Sequence, residues 1–178
     1  MADSMSGGSE NDTLLATDGS NEDITAPHLN SFSVDNYNID LSQGNVSLKT
    51  TVQVSDDLSG FEWGQIYWES PSGEQTLFGG NIDESRITSG DSNNGTYEIT
   101  SNELNQNSEN GEWEIRGMFL QDKAGNTHQF GSDDLSALGI NSTLSVSGGI
   151  EDSIAPELKQ FSVDNYNIDL SQGNVSLK

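Results

Sequence analysis

The stretch VSLKTTVQVS, residues 46–55, decides how this chain folds. Val46, Leu48, Thr50, Val52 and Val54 fall on one side of an extended backbone, and Ser47, Lys49, Thr51, Gln53 and Ser55 fall on the other. A period of two held over a whole segment predicts a β-strand with one face in a core and one in water. The pattern recurs on both sides. LNSFSVD (29–35) precedes it across the turn-rich SQGN (42–45), and FEWGQIYWES (61–70) follows and ends at the turn PSG (71–73). EQTLFGG (74–80), GTYEIT (95–100), NTHQF (126–130) and STLSVS (142–147) read as shorter strands.

EWEIRGMFLQD (112–122) reads as a long strand with a bulge at Gly117, because the apolar phase shifts from Trp113 and Ile115 to Met118 and Leu120. DDLSALG (133–139) offers one helical turn at most. Seven to nine short strands separated by Gly, Asn, Asp and Ser turns predict an all-β fold, an immunoglobulin-like antiparallel β-sandwich.

Part of the chain is written twice. FSVDNYNIDLSQGNVSLK occupies residues 32–49 and again 161–178, a shift of 129 residues, and upstream EDITAP (22–27) lies over EDSIAP (151–156). Self-similarity at a fixed spacing marks an array of like units, and here the unit has the size of a small domain. The expected organisation is one full sandwich over 22–150, followed by the opening of the next repeat over 151–178. Residues 1–21 read as a linker, an added tag or the end of a preceding repeat; NDTLLATDG (11–19) resembles NSTLSVSGG (141–149). The partners expected first are neighbouring repeats. The second copy of the first strands lacks the rest of its domain, so residues 161–178 either stay without order or stand in for residues 32–49 of another molecule; the second outcome, a truncation-driven self-association, is the one expected.

Six Lys and Arg against 29 Asp and Glu give a net charge of −23. So large a negative field argues against nucleic acid or an anionic membrane as a partner. It fits either adaptation to a salty medium or binding of cations. The chain has no cysteine, which removes disulfides and thiolate metal sites. No apolar run is long enough to span a membrane, and residues 1–25 lack the basic start and apolar stretch of an export signal. The two histidines, His28 and His128, sit in no nucleophile or zinc motif, so no catalysis is expected.

Topology points to a metal site. If the first strand starts at the top of the sandwich, the second returns there and delivers DDLSG (56–60). The last strand must leave at the bottom to feed the next repeat, so the strand before it runs upward and delivers DKAGN (122–126) to the top. Asp23, Asp56, Asp57, Asp122 and Asn126 are thereby expected within reach of one ion, with Glu22 in reserve and Asp152 the counterpart of Asp23 one repeat later. On an extended strand Asp56 and Asp57 point oppositely, so only one is expected as a direct ligand. Calcium is the expected ion: it takes six to eight oxygens from carboxylates, amides and backbone, whereas magnesium holds its water tightly. The alternative is a set of ordinary Asp-rich turns, since Asp and Asn satisfy their own backbone there.

The succession DITAP, DDLSG, SPSG, GTYEI, NGEWEI and DKAGN, spanning about 23–149, resembles the bacterial immunoglobulin-like repeats of very large surface and secreted adhesins. That resemblance implies a calcium-binding extender module, non-catalytic and extracellular, that holds a distal binding domain away from the cell. A polysaccharide-binding module is the second reading, carried by the tryptophans. Trp63 and Trp68 are an odd number apart, so a regular strand points one of them outward. A Lys–Asn cross-link, known in some surface sandwiches, is not expected at Lys49, which lies on the polar face of its strand.

Overall fold

The described residues form ten strands, one beyond the seven to nine expected; Asn38–Asp40 and Ile87–Gly90 are the two that no alternating segment marked. The structure is a computed structural model that describes residues 22–150, 154–163 and 171. In chain order the elements are β1 (His28–Val34), β2 (Asn38–Asp40), β3 (Val46–Ser55), β4 (Phe61–Glu69), β5 (Thr76–Asp83), β6 (Ile87–Gly90), β7 (Asn94–Leu104), β8 (Gly111–Asp122), β9 (Thr127–Phe130), α1 (Ser132–Ala137) and β10 (Thr143–Ser147). One sheet has the order β1-β3-β7-β6; the other has the order β2-β10-β8-β4-β5, with β9 also paired to β8. The fold is an all-β sandwich.

The buried sides of the two sheets meet in one core. Leu48, Thr50, Val52 and Val54 of β3 are buried, as are Ile66 and Trp68 of β4. Phe32 packs on Trp68 with ring centroids 6.2 Å apart, and Phe61 meets Tyr97 edge-on at 5.1 Å. Burying a side chain of this size contributes about 1.5–3 kcal/mol, so these contacts between sheets are the main source of stability. β8 keeps both of its apolar phases inside. Trp113, Ile115, Met118 and Leu120 are all buried, and its pairing with β4 slips between Ile115 and Gly117. The bulge lies where the apolar phase changes.

Three features depart from the expected plan. The chain leaves β1 in one sheet and enters the other as β2, a three-residue strand too short to show a periodicity. β2 pairs parallel with β10, although every other ladder is antiparallel. The first strand enters at one end and the last leaves at the other, so the two necessarily run the same way. Finally, α1 is a six-residue helix, longer than a single turn. Its Asp134 carboxylate accepts from the Gly131 N–H at 2.9 Å, and Leu135 is wholly buried. One good apolar anchor and a terminal acid suffice to hold it. Among the described residues no helix is long and apolar enough to cross a membrane.

After Ile150 the described residues 154–163 have no regular structure, and Ile154, Leu158 and Phe161 are exposed. Most of the repeated segment expected to drive self-association, 164–170 and 172–178, lies outside the described residues, as do 1–21 and Asp152.

Candidate functional site

Strand register brings the acidic turns together. His28 at the start of β1 pairs with Ser55 at the end of β3, so the incoming segment carrying Glu22 and Asp23 lies beside Asp56. Phe61 at the start of β4 pairs with Asp122 at the end of β8. Carboxylate oxygens of Asp23, Asp56 and Asp122 all lie within 4.8 Å of one another. Ionised carboxylates this close repel one another unless a cation or a proton lies between them.

Most of the surrounding hydrogen-bond capacity is committed. The Asp23 carboxylate accepts from the Ser59 N–H at 2.7 Å and the Thr25 N–H at 3.1 Å. Hydrogen bonding from the Ser59 hydroxyl and amide, followed by the Thr25 amide, holds Asp23 below the ordinary aspartate range. Oδ2 of Asp56 accepts from Gly60 at 2.7 Å and Leu58 at 3.2 Å. Asp122, with no exposed surface, takes the Asn126 N–H on Oδ1 at 2.7 Å and the Asn126 side-chain amide on Oδ2 at 2.8 Å. Each turn thus folds around its own aspartate, which explains locally why DDLSG and DKAGN have these residues.

One atom is left over. Oδ1 of Asp56 is buried without a hydrogen-bond partner, in a residue only 8% exposed. A buried acceptor with no donor opposite it carries its desolvation cost, and such atoms in native proteins call for an ion or water. The donor set suits a hard cation: oxygens only, three carboxylates, neither histidine nor sulfur. Asp23, Asp56 and Asp122 are the residues that would hold it.

The other expected ligands are placed differently. Asp57 is exposed, and its Oδ2 accepts from the Thr25 hydroxyl at 3.0 Å, tying the incoming segment to the same turn. Only Asp56 of the pair joins the cluster. Glu22 is exposed and outside it. Asn126 turns its amide nitrogen inward, donating to the Asp23 carbonyl at 2.9 Å as well as to Asp122, so here it offsets negative charge instead of offering an oxygen. Ser59 was missed by sequence reading. Its amide holds Asp23, and its Oγ accepts from the Ala124 N–H at 3.3 Å, which links all three segments. Nothing local marks a serine for that task.

Gly60 is required for the turn. Its φ of +89° is left-handed, and a Cβ there would stand 2.5 Å from Ser92 Oγ.

The architecture is that of a β-sandwich whose linker-proximal end carries a buried acidic cluster. The family model that matches, over residues 22–157, is a domain of unknown function, DUF7035, and the chain belongs to that family. A comparison with curated proteins finds no match.

Proposed function

We propose that this domain is a non-catalytic spacer, one unit of a tandem array in an extracellular adhesin of the bacterial surface, stiffened where it joins its neighbour by calcium. The observation that carries this reading is that Asp23 belongs to the segment leading into the sandwich, while Asp56 and Asp122 belong to its body. An ion held by all three would pin the linker to the domain. The sequence repeat places a second Glu-Asp pair, 151–152, at the start of the next unit, so the same arrangement would recur at each junction. Units that contact only their neighbours suit a task in which length and stiffness matter.

The test is a thermal melt of the full chain with millimolar calcium and with EDTA, repeated on Asp56→Asn. Calcium at ~100 times its dissociation constant adds about 2.7 kcal/mol, which raises the melting temperature by several degrees. Asp56→Asn is expected to melt higher than wild type in EDTA, since a buried charge is gone, and to lose the calcium response. A wild-type melt indifferent to calcium would overturn the assignment.

A further inference from the structure

The outer face of the larger sheet departs from the rest of the surface. Strand alternation sends Trp68 into the core and leaves Trp63 half-buried on the outside, where it meets Phe119 of β8 with ring centroids 4.9 Å apart. Four residues along β4, past Gln65, Tyr67 pairs with Phe78 of β5 at 5.3 Å. Trp63 and Tyr67 are held by their polar tips: Trp63 Nε1 donates to Gln121 at 2.9 Å and the Tyr67 hydroxyl to Gln65 at 3.3 Å. Their orientation is set while part of each ring stays in solvent.

Beside them runs a groove of about 430 Å³ whose floor is Gly117, the bulge residue, opposite Tyr67 in the ladder. A Cβ on Gly117 would meet nothing nearer than the Gln129 side-chain nitrogen at 3.7 Å, so the missing side chain is what gives the groove its depth. Gln129 is exposed and lines the groove, and its side-chain amide has no hydrogen-bond partner among the described residues. The lining includes no carboxylate and holds Arg116, one of two arginines, in a chain with 29 acids. Glu69 stands at the margin, 3.6 Å from Arg116.

We propose that this face binds a neutral polysaccharide chain. Fixed aromatic rings offer apolar faces to the C–H faces of sugar rings, and amides with spare donors and acceptors suit hydroxyl groups. A pocket mostly apolar in lining, with a few aimed polar groups, is the usual form of a small-ligand site. Charge selects among sugars: one guanidinium does not overcome a net charge of −23 for a uronic-acid or sulfated chain, and the groove has no acid for a cationic one. Under the groove the main chains of β4 and β8 are paired on both sides within the sheet, so a peptide lying there cannot be held as an added strand. The assignment is independent of the calcium cluster and goes beyond the spacer reading.

The experiment is affinity electrophoresis of the full chain through gels containing hydroxyethyl cellulose, laminarin, galactomannan or soluble starch, with polygalacturonate as the anionic comparison, in calcium and in EDTA. Retardation by at least one neutral polymer is expected. Tyr67→Ala should weaken it at least tenfold, and so should Gly117→Leu, which fills the groove from a position with room for a side chain. Thermal melts confirm that each variant is folded, and if Tyr67→Ala is not, Gly117→Leu decides. No retardation by any neutral polymer overturns the proposal, as does retardation by polygalacturonate alone. Neutral binding that a folded Gly117→Leu leaves unchanged places the ligand elsewhere and overturns it as well.

Discussion

Two tryptophans at the centre of the sandwich show how differently one residue type can be held. Trp113 donates its indole N–H to the Glu109 carbonyl at 2.8 Å, whereas the indole N–H of Trp68 is buried with no partner. Replacing either by Phe opens a similar cavity, but only Trp113→Phe also loses a hydrogen bond. Trp113→Phe should therefore cost about 1 kcal/mol more than Trp68→Phe, measured as a difference in urea midpoints at constant slope. Equal losses would mean that the Trp113 bond contributes nothing net. Gly60→Ala belongs to the same scale. It forces a side chain into a left-handed backbone against Ser92 and moves the amide that Asp56 accepts from. The expected outcome is a loss of more than about 1 kcal/mol together with a weaker calcium response, read from melts in calcium and in EDTA.

At the scale of elements, turns are closed by carboxylates. Asp40 precedes the short 3-10 turn Leu41–Gln43 and accepts from the Ser42 N–H at 2.9 Å. Glu109, ahead of β8, accepts the Ser72 hydroxyl at 2.6 Å and so joins two loops. The Ser42 hydroxyl first, then its amide, holds Asp40 below its ordinary value; the Ser72 hydroxyl does the same for Glu109. A carboxyl depressed in the folded state favours folding wherever it is ionised in both states, and that contribution fades as the pH falls through its folded value. Stability should be flat above about pH 5 and decline as acid is added below the ordinary values of 3.8 for Asp and 4.5 for Glu. Urea unfolding between pH 6 and 3 checks this, and Glu109→Gln should flatten part of the decline. The Lys49–Glu98 pair at 2.8 Å is exposed on both sides, so its removal should change stability little.

For the whole molecule, the interest lies in the ends. Ile154 and Phe161 are 85% and 73% exposed beyond the last strand, on a segment that begins a second copy of the first. Light scattering of the full chain is expected to show concentration-dependent association that disappears when the chain is cut after Ile150. A monomer at all concentrations would count against exchange of the repeated segment. Two repeats in tandem should also become more extended in calcium than in EDTA by small-angle scattering, because the proposed ion joins linker to body. An unchanged maximum dimension would separate a calcium-stabilised domain from a calcium-stiffened array.

Local pattern was enough for eight of the ten strands, Asn38–Asp40 being too short and Ile87–Gly90 too exposed to show an alternation. The alternation of β3, the phase change at Gly117 and the odd spacing of Trp63 and Trp68 all follow from the pleat, which is a property of consecutive residues. The meeting of Asp23, Asp56 and Asp122 at one end could be argued from strand direction alone, since direction follows from counting turns. What only the tertiary structure decided are facts of register and distance. They include the three-residue β2 against β10, the Ser59 amide on Asp23, and the inward turn of the Asn126 amide. They include as well the choice of Asp56 over Asp57 and the oxygen left without a partner. These depend on contacts between residues up to 108 positions apart, such as Ser147 with Ile39, and no window along the chain contains both partners.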